Sequence, residues 1–281
     1  MVGTQVPEYT NSTRNNPPSI GAYEDKVVVS AQTFLQGAYS TGLLRHVDVN
    51  ATWAAVLNAN ALAQPYNIAA FGNYAGTESV TAGFFTSTVA TTDIVDWVLV
   101  ELRDATTPTI IITRRAAFIR EDGLIVDLDG VSPVAFKGFA TGNYFIAIRH
   151  RNHLGMRTAA TQLIDGSAAA PTVYNFSAAQ ANAYQAGFSN AAQATLAGSK
   201  FGMWGGNANS NTTVRFTGLA NDAGVILTTL GGIQSAVLSP VYNFSDLNLN
   251  GNVRYTGLNN DAGVLLNVLG GIQSAVLNQH L

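Results

Sequence analysis

From Lys26 to Arg149 the apolar residues come in short runs, β-branched or alternating, broken by turn residues. Lys26–Leu35 is the first such run, bounded by Gly37. In Asp96–Arg103, Val98, Val100 and Leu102 fall on one face. Trp97 and Leu99 begin the other face, which turns polar at Glu101 and Arg103. A period of two predicts a strand. Further strands are predicted at Thr109–Thr113, Arg114–Ile119, Leu124–Leu128, Val134–Phe136 and Asn143–Arg149. Turns separate them at 104–108, at Glu121-Asp122-Gly123 and at Asp129-Gly130. Short strands at such spacing predict a mainly β chain, an antiparallel β-sandwich of Ig-like or jelly-roll type over residues 25–172. Ala51–Leu62 departs from the pattern and reads as a short helix that Pro65 ends.

The pattern changes again near the C-terminus, where one segment occurs twice. Val214–Leu238 returns as Val253–Leu277, offset by 39 residues with 20 of 25 positions identical. Two copies make a paired motif rather than a solenoid. Each copy predicts a helix stopped by Gly-Gly; in the second it runs Ala262–Leu269, ended by Gly270 and Gly271. The pair occupies 206–281. A connector at 173–205 precedes it, and its Ala/Gln/Asn-rich stretch Ser177–Ser199 reads as a helix or an extended linker. Gly187 and Gly198 disfavour a long helix there.

Each copy is preceded by a polar loop with the spacing of a cation site. Asp246, Asn248 and Asn250 stand at alternate positions, followed by Gly251, Asn252 and the apolar Val253. Alternate oxygen side chains converge on one cation, and glycine permits the sharp turn of an EF-hand-type loop. The usual closing acid is missing, because Gly257 occupies its position. Asp261, four residues on, either closes a longer loop or caps the helix with Asn260. The first copy offers Asn207, Asn209 and Asn211, Thr212 in place of the glycine, and Asp222 as its only carboxylate. Affinity for a hard cation such as calcium falls with ligand charge, so the second loop is the stronger candidate. The competing reading is that the asparagines hold both loops by internal hydrogen bonds, without an ion.

Composition narrows the function classes. Apolar residues make up 47% of the chain, ample for a core, but charged residues only 11%, and the formal net charge is −3. Little net repulsion lets neighbouring copies pack closely. Without cysteine there are no disulfides, thiolate metal sites or cysteine nucleophiles. No basic stripe points to nucleic acid, and no run of 18 apolar residues points to membrane insertion. Met1 leads into a polar stretch without signal-peptide character, so the expected origin is cytoplasmic, or a processed or cloned piece of a longer precursor. Residues 1–24, with Pro7, Pro17 and Pro18, read as an extended arm, either a loose tail or a segment that docks on a neighbouring subunit.

Little catalytic chemistry is written in the chain. No nucleophile elbow, phosphate loop or His-Glu-x-x-His motif is present. His150 and His153, in the densest polar cluster, could ligate a metal but lack a nearby third ligand; contacts between strand-end positive charges and turn acids are the favoured reading. Asp127 and Asp129 could pair as acid and base, but Asp129-Gly130 more simply makes a turn.

Several longer strings carry a resemblance: Phe34–Tyr39, Ile94–Asp104, Asp122–Gly130, Gly142–Gly155 and the two repeats. Over nearly its whole length the chain resembles a module of type IX-secreted surface proteins of Bacteroidota, a β-sandwich followed by a small α-helical, dockerin-like repeat pair. Ser19–Glu24 also resembles the closing motif of parallel β-helix surface proteins. The loops here carry Asn where that family usually has Asp, and the C-terminal sorting domain often found in such proteins does not follow Leu281. The resemblance implies an extracellular or cell-surface location and no catalytic residues. The expected function is thus a non-catalytic structural module that self-associates, as in a fibre or surface layer, with the arm docking on a neighbour. The alternative is a glycan-binding or adhesin accessory module of a larger secreted protein.

Overall fold

The structure, a computed structural model, describes residues 26–44, 51–88, 90–166 and 171–281, without the side chains of residues 51 and 52. The N-terminal arm and its Ser19–Glu24 motif lie outside the described residues. The chain is mainly β, with three α-helices among the described residues. The strands are β1 (Lys26–Val29), β2 (Ala31–Gln32), β3 (Tyr39–Ser40), β4 (Leu43–Leu44), β5 (Ile94–Arg103), β6 (Ile111–Arg120), β7 (Leu124–Val126), β8 (Val134–Lys137), β9 (Gly142–His150) and β10 (His153–Arg157). They continue as β11 (Gln162–Ile164), β12 (Tyr174–Asn175), β13 (Ala194–Leu196), β14 (Lys200–Gly202), β15 (Thr213–Arg215), β16 (Val237–Leu238), β17 (Val253–Arg254) and β18 (Val276–Asn278). The helices are α1 (Ala51–Asn60), α2 (Asp222–Thr229) and α3 (Asp261–Val268).

One curled sheet of eight strands dominates, in the order β10-β9-β5-β6-β7-β2-β12, with β11 also paired to β9. All its ladders are antiparallel except β2–β12. The runs 109–113 and 114–119, read separately from sequence, form one strand, β6. It pairs with β5 from Ile94 opposite Arg120 to Arg103 opposite Ile111. Every residue of β5 is buried, including the positions at which its second face turns polar. Helix α1 and the segment that follows it are fixed to this strand by three buried hydrogen bonds. Trp53 Nε1 donates to Val95 O (2.8 Å), Trp97 Nε1 to Ala61 O (2.7 Å), and the Tyr66 hydroxyl to Trp97 O (2.6 Å).

The stretch 177–199 is neither a helix nor a free linker. It forms short 3-10 turns and the first strand of the β13–β14 hairpin. Its Ala183, Ala192 and Ala194 are buried, because small apolar side chains let an irregular backbone lie close against the core. β10, absent from the sequence reading, lies entirely buried at the end of the sheet.

The repeats close on each other. β15 at the start of the first copy pairs with β18 at the end of the second, and β16 at the end of the first pairs with β17 at the start of the second. The tie is repeated by side chains: Thr217 Oγ1 donates to Gln273 O (3.0 Å) and Thr256 Oγ1 to Gln234 O (2.9 Å). α2 and α3 pack on each other. Buried Val214, Ile226, Val253, Leu265 and Leu269 form an apolar cluster separate from the one under the large sheet.

Candidate functional site

The polar loops of the two repeats meet the sheet at one place, the tip of the β9–β10 hairpin. Loop residues alternate in direction there. Leu247 enters the apolar cluster of the repeat pair and Leu249, two residues on, enters the cluster under the sheet. Leu249 has φ +57°, a left-handed conformation that costs a branched residue roughly 1–3 kcal/mol and persists only where packing enforces it. On one side Gly37 lies so close that an added Cβ would stand 1.9 Å from Leu247 O.

In the second loop Asp246 and Asp261 are fully buried. Asp246 accepts from the amides of Asn250 (3.1 Å) and Gly251 (2.9 Å), and Asp261 from those of Leu247 and Arg254, both at 2.8 Å. Asn260, not Asp261, caps the helix: its Oδ1 accepts from Gly263 N at 2.6 Å. Asp261 is thereby free to turn back into the loop. Burial pushes the Asp246 carboxyl up to about 7, against Arg151 and the amides that favour its charge. Burial, and then the charge of Asp246, push Asp261 up to about 8. Two buried carboxyls in each other's field oppose joint ionisation, which a cation between them would favour.

A further oxygen has no partner. Asn248 donates through Nδ2 to Asn259 O (3.2 Å), while its Oδ1 is buried without a hydrogen bond. A buried carbonyl oxygen left unpaired is costly and calls for a donor or a cation. Asn250 is spent internally, its Oδ1 accepting from the amide and side chain of Asn252. The sequence-derived set of five thus divides. Asp246, Asn248 and Asp261 offer oxygens to a cation, whereas Asn250 and Asn252 bond to each other.

The first loop repeats the plan with less charge. Asp222 is buried, accepts from Asn209 N (3.3 Å) and Arg215 N (2.8 Å), and burial pushes it up to about 7. Asn221 caps α2 as Asn260 caps α3. Asn207 Oδ1 is buried without a partner, as at Asn248. Asn209 and Asn211 accept from the amides two residues on, Asn211 and Thr213. Among the described residues no three His, Cys, Asp or Glu side chains gather as a metal-binding set, so carboxamide and backbone oxygens would complete any shell. The orphaned Asn248 oxygen and the paired carboxylates of the second loop form a hard-oxygen donor set that fits calcium. The first loop fits it less well.

The hairpin tip holds both loops. Asn152 O accepts from Asn207 N (3.0 Å), and Asn152 Nδ2 donates to Asp246 O (2.7 Å). Ser210 Oγ donates to Arg151 O. Arg151, fully buried, donates to Asn243 O and, through Nε, to Asp96 Oδ2 (2.9 Å); the Tyr242 hydroxyl donates to Asp96 Oδ1 (2.7 Å). Burial pushes Asp96 up, but Arg151 and then His150 outweigh it and hold the carboxyl far below the usual range.

His150 and His153 belong to this network. His150 Nε2 faces Asp96 Oδ2 at 3.1 Å. His153 Nε2 accepts from Gly37 N (3.2 Å), which leaves the proton on Nδ1, facing Asn152 Oδ1 at 2.8 Å and His150 Nδ1 at 3.0 Å. Burial lowers both histidines, His153 furthest, and keeps them neutral. The expected contacts with turn acids are replaced by contacts with Asp96 on β5. Arg149 likewise faces a strand acid, Glu101, which also carries Arg103 and Arg114.

Asp127 and Asp129 do not form an acid–base pair. Asp127 accepts from Arg115 (2.6 Å), and Asp129 makes the turn by accepting from Val131 N and Ser132 N. Both line a shallow cavity of about 490 Å³ with Lys26, Arg115 and Lys137. Asn152, Arg151, Asp96, Tyr242 and Gly37 were not foreseen as parts of one site. The sole sequence signal was the density of polar residues at 149–153. No family model, curated protein or solved structure matches this chain.

Proposed function

We propose that the chain is a non-catalytic extracellular structural module that associates with its own copies. In this reading it is a β-sandwich joined to a dockerin-like repeat pair in which calcium serves as a staple. The observation that carries self-association is a set of large apolar side chains left in water at matching positions of both repeats. Leu219 and Leu258 are 91% and 82% exposed, and Ile233 and Ile272 are 58% and 59% exposed. Exposed apolar groups gathered on a surface mark interaction sites. Every carboxylate of residues 206–281, namely Asp222, Asp246 and Asp261, is buried, so little charge opposes contact between copies. The staple reading is supported by the orphaned oxygens and by the mutual repulsion of Asp246 and Asp261. Sedimentation velocity over a wide concentration range, with calcium and with chelator, tests the reading; growing oligomers are expected, and a strict monomer throughout would sink it.

One observation favours a glycan-binding role instead. A cavity of about 390 Å³ is lined by Phe84, Thr86, Thr88, Thr92, Asp93 and Arg120 among others, a mix of hydroxyls, charges and one aromatic ring. Saturable polysaccharide binding lost in Phe84→Ala would support this second reading.

A further inference from the structure

We infer that Asn152, on the sheet and outside both repeats, positions the two cation loops together, so that loading them with calcium tightens the junction between sheet and repeat pair. This rests on the calcium reading above. Asn207 and Asp246 are equivalent residues, 39 positions apart, each opening its loop. Asn152 touches both: its backbone oxygen accepts from the amide of one (3.0 Å), and its side-chain amide donates to the carbonyl of the other (2.7 Å). It is fully buried, so water does not replace either bond.

Its own placement is fixed. Asn152 Oδ1 faces the protonated Nδ1 of His153, whose other nitrogen accepts from Gly37 N. The adjacent Arg151 binds the first loop through its carbonyl, which accepts from Ser210, and reaches Asn243, before the second loop, through its guanidinium. Behind it stands Asp96 in the largest sheet. A residue with two rigid contacts, one to the entry of each loop, transmits a shift of either loop to the other and to the sheet. Residues that orient ligands without touching the metal change its affinity by about ten- to a hundredfold.

The test uses the full chain and calcium chloride. Titration calorimetry compares wild type with Asn152→Ala and with Glu101→Gln. The last strips the shared counter-charge from Arg103, Arg114 and Arg149 and lowers stability away from the loops. Expected are calcium binding by wild type, affinity about ten- to a hundredfold weaker in Asn152→Ala, and unchanged affinity in Glu101→Gln. Equal affinity in wild type and Asn152→Ala overturns the positioning role and leaves the calcium reading standing. No binding by wild type overturns both. A second measurement needs no variant. Hydrogen exchange of wild type with and without calcium should slow in peptide 150–154, which contains no proposed ligand. Protection confined to 246–252 would overturn the coupling.

Discussion

At the scale of single residues, the seam between sheet and repeats is built from groups that pay for burial only when their protonation is right. His150 and His153 are neutral when folded, held below the ordinary histidine value of 6.5 by burial. The unfolded chain binds protons at these residues as pH falls below that value, and the folded chain binds them only at lower pH. On their own the histidines thus contribute stability that is lost as pH drops below 6.5 towards 5, by at most about 1.4 kcal/mol per pH unit each. Asp222, Asp246 and Asp261, raised by burial to about 7, 7 and 8, contribute in the opposite sense, because the folded chain takes up their protons first. Thermal melts of wild type across this range read the balance of the two contributions. His153→Gln, which keeps an acceptor for Gly37 N, should lose less stability than wild type, or gain more, as pH drops. An identical pH dependence in the two proteins would remove His153 from the balance and leave it to other groups, such as His280, which burial also lowers.

At the scale of elements, the second loop is a part fitted between others. Leu249 points into the core of the sheet, the Cβ position of Gly251 lies 3.5 Å from Val56 Cγ2, and Gly37 abuts Leu247 O. Backbone meets backbone at Gly37, so the contact cannot be relieved by a rotamer change. Gly37→Ala is expected to cost roughly 1–3 kcal/mol through overpacking and, on the proposed calcium reading, to weaken calcium binding as well. Urea unfolding and calorimetry measure the two effects, and stability lost with affinity intact would separate the loop from its seat. Much of this architecture was legible in the sequence. The period of two in Asp96–Arg103 marked β5, and Gly270-Gly271 marked the end of α3, because these are local signals. The role of Asn152 was not legible. It depends on two contacts spanning 55 and 94 residues, and nothing local at Asn152 encodes them. Nor did sequence decide between Asp261 as cap and as loop closure, since Asn260 suits the cap equally well and takes it.

At the scale of the whole molecule, the internal repeat makes any contact surface on it bivalent. Thr217 ties the turn that carries Leu219 to Gln273, next to Ile272, and Thr256 ties the turn that carries Leu258 to Gln234, next to Ile233. The result is two equivalent apolar patches on one chain. Removing a Leu–Ile pair from water contributes roughly 3–6 kcal/mol. Association costs about 4–15 kcal/mol in lost freedom, so a single patch supports only weak, concentration-dependent contact. Two patches change the outcome rather than the strength: if each meets its like on another copy, the contact repeats along an open chain. Leu219→Ser and Leu258→Ser leave the fold intact, because both side chains lie in water. Either single variant should stop assembly at dimers, and the double variant should remain monomeric at concentrations where wild type forms longer species. Light scattering coupled to size-exclusion chromatography distinguishes these states. Long assemblies that persist in the double variant would remove the repeat patches from the contact and leave another surface to make it.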